Sequence, residues 1–333
     1  MLAFQGDGIR GRPCLPRRSS DGPWPITPWR THREPLSQLP ALTARAPPLA
    51  GALGAEIPGL DLSQDASPEL IAALREALLD HLVIFLPGQD LTPEQLVRFG
   101  RRFGTLATAH IMPSLPGVPE VMPLDSSTGL RTDIWHSDVT YYEAPPMGTL
   151  LYAREIPEVG GDTMFANMYL AYERLSPPIQ RMLDPLTAVH SFTERFVRRI
   201  NHRDQVIPPE DKPGPKGARP PLMRHPVVRE HPETGRKALF VNATWTVGIA
   251  ELTVQESDML LEFLCTHAVQ PEHTCRYRWS RGTIAFWDNR CTQHYAINDY
   301  DPSARRVMLR MTLDGDRPRG RASFDELAAD PRA

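Results

Sequence analysis

Ile134-Trp135-His136-Ser137-Asp138-Val139-Thr140-Tyr141 is the stretch on which the reading of this chain turns. Successive side chains of a strand face opposite ways, so in a strand His136 and Asp138 point to one side while Trp135, Ser137 and Val139 point to the other. The run reads as such a strand and brings one imidazole and one carboxylate to a common point. A second imidazole from a distant strand, His294, completes a 2-His-1-carboxylate facial triad. That ligand set holds a mononuclear iron and leaves adjacent positions open for a co-substrate and O2.

Spacing alone does not select this pair. A His followed two residues later by Asp or Glu occurs four times, at His32/Glu34, His136/Asp138, His202/Asp204 and His231/Glu233. The first lies in a Pro- and Arg-rich stretch, the third borders the Pro/Lys/Gly-rich segment 207–221, and the fourth sits in the turn-like His231-Pro-Glu-Thr-Gly235. Only His136/Asp138 sits in a strand-like run.

The chain's 333 residues, 41% of them apolar, are enough to bury a substantial core. No stretch approaches the run of roughly 18 apolar residues that a membrane span needs, and the N-terminal Arg10, Arg12, Arg17 and Arg18 have no apolar block behind them. Neither a membrane protein nor a secreted one is expected. A net charge of −3 argues against a nucleic-acid partner. Cys14, Cys265, Cys275 and Cys291 show no CxxC spacing, so neither a disulfide framework nor a zinc knuckle is expected, which fits a reducing cytoplasm. A homo-oligomer is expected.

Residues 1–40 are Pro- and Arg-rich without a sustained period and read as a disordered extension. The working domain is expected over 41–318, with a tail over 319–333. The first helix is expected over Ser67–Asp80, with Ser67 as N-cap, Pro68 at the first helical position and Leu70, Ile71, Leu74 and Leu78 as its apolar stripe. Leu82–Leu86 reads as a buried strand. Thr92-Pro93-Glu94-Gln95 is a capping box opening a second helix. Gly148–Arg154, Asp162–Ala166, Ala238–Asn242, Thr283–Trp287 and Val307–Leu313 read as strands, with helices at Met168–Leu175 and near Val254–Ala268. Segment 207–221 is too rich in Pro and Gly for either, and reads as a lid or a surface insertion. Short strands spread along the chain with helices mostly in front predict a mixed α/β, mainly β fold. Its core is expected to be a double-stranded β-helix (jelly roll) with flanking helices.

His294 is followed by Arg306 and Arg310. On a strand Arg306, Met308 and Arg310 share one face, and arginines on a face that includes a metal site are best explained by anionic ligands, which the guanidinium fork grips bidentately. Four residues span roughly 13 Å, so the two side chains can reach two different anions that meet between them. The competing reading pairs these arginines with Asp299, Asp301 or Asp314 at the surface. Arg305, on the opposite face, is expected to be solvated.

Residues 42–318 resemble the taurine dioxygenase-like branch of the Fe(II)/2-oxoglutarate-dependent dioxygenases, which also contains alkylsulfatases and aryloxyalkanoate dioxygenases. The resemblance rests on Trp135-His-Ser-Asp-Val-Thr140, Glu143-Ala-Pro-Pro146, Gly160-Gly-Asp-Thr163, His225-Pro-Val-Val228, His231-Pro-Glu-Thr-Gly235 and Trp287-Asp-Asn-Arg-Cys-Thr-Gln-His294-Tyr-Ala296. It implies that His136, Asp138 and His294 bind Fe(II), and that Thr163 and Arg306 hold the distal carboxylate of 2-oxoglutarate. It further implies that Arg310 and His110 bind the anion of a small organic substrate, with Phe192 and Trp245 walling its pocket. Where taurine dioxygenase has a Tyr three residues after the His110 position and an Asn four before the first iron-binding histidine, this chain has Pro113 and Thr132. Losing two polar groups suits a larger or less polar anion than taurine.

The implied reaction hydroxylates the carbon beside a sulfonate or sulfate ester, releasing sulfite or sulfate, an aldehyde, succinate and CO2. Asp138 is present where related halogenases carry a small residue, so hydroxylation is expected. Aryloxyalkanoate cleavage is the alternative within the class. Outside it stand a zinc hydrolase using the same three ligands and a non-catalytic small-anion sensor.

Overall fold

The computed structural model describes residues 46–108, 113–128, 132–192 and 222–321. The extension expected over 1–40, the segment 207–221, His110 and the tail beyond residue 321 lie outside the described residues. In chain order the elements are β1 (Ala55–Glu56), α1 (Pro68–His81), β2 (Val83–Leu86), α2 (Pro93–Gly100), β3 (Met122–Asp125), β4 (Gly148–Glu155), β5 (Thr163–Asn167), α3 (Met168–Glu173), α4 (Pro177–Leu183) and β6 (Thr187–His190). After residue 222 follow β7 (Met223–Pro226), β8 (Val228–Glu230), β9 (Lys237–Leu239), β10 (Thr246–Ile249), α5 (Val254–Ala268), β11 (Thr274–Tyr277), β12 (Ile284–Asp288), β13 (Thr292–Ala296) and β14 (Val307–Leu313).

Helices α1 and α2 start on their caps. The Ser67 hydroxyl accepts the Leu70 amide at 3.2 Å, and Thr92 and Gln95 form the full reciprocal box at 2.8 and 3.2 Å. Helix α1 ends on Leu82, whose left-handed φ of 64° turns the chain, so β2 begins one residue later than the apolar run suggests.

Strands β1-β2-β12-β4-β14-β3 form one sheet, antiparallel except between β1 and β2. Its two faces follow the period of two. Ile84, Leu86, Leu150, Tyr152, Ile284, Phe286, Leu309 and Met311 enter a core with Leu74 and Leu78 of α1 and Leu96 and Phe99 of α2. Val83, Phe85, Leu151, Ala153, Ala285, Trp287 and Met308 enter the other, which includes Phe165 and Tyr277 of a smaller antiparallel sheet, β11-β5-β13. Both faces are covered, which is why these strands read as nearly unbroken apolar runs. Phe85 joins the two sheets, stacked on Tyr277 at 3.7 Å and edge-on to Phe165 at 5.7 Å. Truncating it to Ala would cost about 3–5 kcal/mol. A third sheet, β10-β6-β7, and the β8-β9 hairpin complete a mixed α/β, mainly β architecture.

Two local expectations are corrected. Ile134–Val139 is not a strand: His136 makes one isolated bridge and the chain turns from Asp138 onward. Arg306 precedes β14, and the register shifts between Val307 and Met308, so side-chain alternation along β14 does not extend back to Arg306.

Candidate active site

His294 stands on β13 in register with Phe165 of β5, so its ring rises from the inner face of the smaller sheet, with Phe165 and Trp287 ring centroids 6.2 and 4.6 Å away. His136 is fastened to it through the backbone. The His136 amide donates to the His294 carbonyl at 3.1 Å and the His294 amide donates back at 2.8 Å. Ser137 follows, its hydroxyl donating to the Thr292 carbonyl at 2.7 Å. Asn289 then holds the turn: its Oδ1 accepts the Asp138 amide at 2.6 Å, and its Nδ2 donates to the carbonyls of Asp138 at 3.1 Å and Pro146 at 3.2 Å. Val139 is left at φ 40°, an unfavourable value for a β-branched residue that persists only where the surroundings over-determine it. The clamp by Asn289 supplies that constraint.

This turn, rather than strand alternation, brings the three side chains together. The Nε2 atoms of His136 and His294 lie 3.8 and 3.6 Å from Asp138 Oδ1. Such distances are too long for hydrogen bonds and shorter than twice a divalent-metal bond of about 2.1 Å. His136 Nδ1 is 2.7 Å from the Ile134 carbonyl, which can only accept, so this nitrogen carries a proton and Nε2 is the atom turned toward Asp138. Burial, with the neighbouring His136, pushes His294 well below its ordinary pKa and keeps it neutral, as a metal ligand must be. Burial alone would raise the Asp138 carboxyl, but the Arg310 guanidinium beside it outweighs burial and holds it well below the usual carboxylate range. The Thr149 hydroxyl donates to its other oxygen at 2.7 Å. His294 Nδ1 is buried with no hydrogen-bond partner among the described residues. Two imidazoles and one carboxylate, with their ligand atoms within 4.8 Å of one another, fit a ferrous ion.

His231, Asp288 and Cys291 form a second cluster of potential ligands, but its donors are already committed. His231 Nδ1 accepts the Glu233 and Thr234 amides at 3.3 and 3.2 Å, while Nε2 faces Asp288 at 3.0 Å. Arg290 binds both Asp288 oxygens at 2.9 and 2.6 Å. Burial and the Asp288 charge push the Cys291 thiol well up, so it stays protonated.

Thr163 lies on β5 two residues before Phe165, so it shares His294's face of the smaller sheet, roughly 7 Å along the strand. Arg306 is half-buried, and its Nε donates to the Gly161 carbonyl at 3.1 Å. It makes no ion pair among the described residues; the rival partner Asp299 instead binds Arg276 at 3.2 Å and the Gly161 amide at 2.9 Å. Gly161 is required twice over, by its φ of 72° and because a Cβ would come within 3.3 Å of Arg306 Cδ. Arg305 is exposed but not merely solvated: it pairs with Asp125 at 2.7 Å and Glu155 at 3.3 Å.

Arg310 comes from β14 on the inner face, and its Nη2 lies 2.8 Å from Asp138 Oδ1. Beside it stands an aromatic wall. Phe192 and Trp245 stack with centroids 5.9 Å apart, and Tyr141 meets them at 5.1 and 4.8 Å. Trp245 Nε1 donates to the Ser137 carbonyl at 3.0 Å, tying the wall to the turn that carries Asp138. Of the nine candidate residues, eight are described, and His110 lies outside the described residues. Asn289, Thr149 and Tyr141 were given no role by sequence reasoning. Asn289 and Tyr141 lie inside the two quoted motifs, whereas nothing in the sequence around Thr149 marks it.

A family model described as taurine catabolism dioxygenase TauD, TfdA family matches residues 45–312. The chain belongs to this family and is a dioxygenase. It is 36% identical to an alkylsulfatase of Acinetobacter baylyi, over 80% of this chain and 84% of that one. It is 35% identical to an alpha-ketoglutarate-dependent sulfate ester dioxygenase of Pseudomonas putida, over 84% and 92% of the two chains. A solved structure of a taurine dioxygenase from Burkholderia xenovorans matches with a TM-score of 0.71 and 38% identity, covering 83% of this chain and 91% of that one.

Proposed function

We propose that this dioxygenase uses Fe(II), 2-oxoglutarate and O2 to hydroxylate the carbon that bears the anionic group of a small organic sulfate ester or sulfonate. His136, Asp138 and His294 hold the iron, Thr163 and Arg306 hold the distal carboxylate of 2-oxoglutarate, and Arg310 and His110 hold the substrate's anion. Bound there, the iron supplies O2 activation driven by decarboxylation of 2-oxoglutarate to succinate and CO2. One oxygen atom goes to succinate and the other to the substrate carbon. The hydroxylated carbon then expels sulfate or sulfite as its hydroxyl proton leaves, and an aldehyde remains.

The observation that carries this reading is the contact of Arg310 with the metal-facing oxygen of Asp138. An anion taken by the remaining N–H donors of that guanidinium sits beside the metal-facing oxygen of Asp138. The carbon presented for oxidation is therefore the one next to the anion. Tyr141, Phe192 and Trp245 offer apolar contact to the rest of the molecule and exclude water. The similarity to the sulfate ester dioxygenase and the alkylsulfatase favours sulfate esters over taurine, as do Pro113 and Thr132.

The test is succinate formation from anaerobically Fe(II)-loaded protein across alkyl sulfates, alkanesulfonates, taurine and aryloxyacetates, with sulfate and sulfite counted. Stoichiometric sulfate with alkyl sulfates supports the reading. Turnover of aryloxyacetates alone would move the enzyme to the carboxylate-cleaving alternative, since a carboxylate can replace the sulfate on Arg310.

The double-stranded β-helix closure, the 41–318 domain limits, a homo-oligomeric state and a cytoplasmic location belong to the same proposal. Among the described residues no helix is long and apolar enough to cross a membrane.

A further inference from the structure

The Thr163 hydroxyl has a buried partner to which the reading above gives no role. Trp279 Nε1 donates to Thr163 Oγ1 at 2.9 Å, and the two residues are 5% and 2% exposed. An indole N–H can only donate, so Thr163 must accept, which spends an oxygen lone pair and leaves the hydroxyl proton to be donated elsewhere. Among the described residues no group accepts that proton. Both partners are fixed. The Trp279 ring is held edge-on by Tyr277 at 5.6 Å and Phe85 at 6.4 Å, and the Thr163 backbone is paired on both sides, with Tyr277 and Ala296.

We propose that Trp279 is a positioning residue for the co-substrate: its indole N–H turns the Thr163 hydroxyl proton toward the distal carboxylate of 2-oxoglutarate. The inference rests on the assignment of Thr163 and Arg306 to that carboxylate. A Thr hydroxyl free to rotate would present its proton to the carboxylate only part of the time. With one lone pair occupied, the proton is oriented before the ligand arrives, and less order is lost on binding.

Four full-length proteins test this: wild type, Trp279→Phe, Thr163→Val and the double variant. Each is measured for the KM of both substrates, for 2-oxoglutarate Kd on Mn(II)-loaded protein by calorimetry, and for Tm. Trp279→Phe should raise KM and Kd for 2-oxoglutarate roughly three- to tenfold, the worth of one hydrogen bond, and leave kcat and the sulfate-ester KM within about twofold. In the Thr163→Val background the same change should add nothing. Equal effects in both backgrounds, or none in either, overturn the proposal and leave Trp279 a packing residue. A null effect of Thr163→Val itself overturns the carboxylate assignment, and the proposal with it. If Trp279→Phe does not fold, 15N-tryptophan spectra of Zn(II)-loaded protein replace it. An indole N–H resonance that moves on addition of 2-oxoglutarate in wild type and not in Thr163→Val supports the proposal, and the absence of one overturns it.

Discussion

His136 and His294 exchange amide-to-carbonyl hydrogen bonds at 3.1 and 2.8 Å, so two residues far apart in the chain are fixed backbone to backbone before either side chain meets a ligand. The spacing of their imidazoles is thus set by a backbone bridge, and only Asp138 depends on a turn.

Asp138→Ala removes the one anionic ligand and should lower metal affinity by at least about a hundredfold, the scale of several kcal/mol, while abolishing turnover. Calorimetric titration with Mn(II) checks it. Near wild-type affinity would take Asp138 out of the ligand set.

Arg306→Ala should raise the 2-oxoglutarate KM by two to three orders of magnitude, because losing one partner of a buried charge pair costs about 3–5 kcal/mol. Gly161→Ala, which pushes on Arg306 Cδ at 3.3 Å and strains a φ of 72°, should act in the same direction more weakly. An unchanged KM in Arg306→Ala would place the carboxylate clamp elsewhere.

Arg310→Ala should raise the sulfate-ester KM at least about a hundredfold and leave the 2-oxoglutarate Kd within a few-fold. Because Arg310 also touches Asp138 at 2.8 Å, metal affinity is expected to change as well. A normal sulfate-ester KM would remove the anion-recognition argument altogether.

Asn289→Ala breaks the bonds to both the amide and the carbonyl of Asp138. Leaving these buried groups unpaired should cost about 1–3 kcal/mol each, and the relaxed turn at Val139 should weaken metal binding more than it lowers Tm. A fall in Tm with unaltered metal affinity would show that the clamp serves the fold alone.

Acid sensitivity should come first from histidine. Burial, partly offset by the bond to the Tyr142 carbonyl, pushes His225 down to about 4 from an ordinary 6.5, and burial drives His190 well down too. Between these values the unfolded chain binds a proton that the folded chain refuses, so stability is complete above pH 6.5 and falls as pH drops toward 4. His225 alone accounts for roughly 3 kcal/mol. Urea midpoints at pH 7 and pH 4.5 measure it, and a flat profile would show that neither histidine titrates abnormally.

Much of this was legible in the chain. Helix α5 and strand β14 fall on the residues where apolar runs place them, and α1 and α2 open on the caps read from Ser67 and Thr92, because cap chemistry and periodicity are local. The three candidate ligands, His136, Asp138 and His294, stand out in the chain because their residue types and motifs are specific, and the structure brings them together. The route by which they meet was not. Trp135 to Thr140 alternates like a strand, yet the Asp138 amide is taken by Asn289, a partner far along the chain that local pattern cannot reveal. Arg306 was misplaced for a similar reason, since the irregularity after Val307 arises in the pairing with β4. Thr149 and Trp279 act through single hydrogen bonds across the core and leave no periodic trace.

The bridge between His136 and His294 also bears on how the enzyme acquires its metal during synthesis. A nascent chain that has emerged only through Asp138 offers one imidazole and one carboxylate, a weak and unselective ligand pair. The second imidazole arrives on β13, whose neighbours β5 and His136 were made long before, so closing the site demands a contact of high sequence separation, which is slow to form. If His136, Asp138 and His294 are the iron ligands, a chain truncated before β13 should therefore bind iron no more selectively than that two-ligand pair.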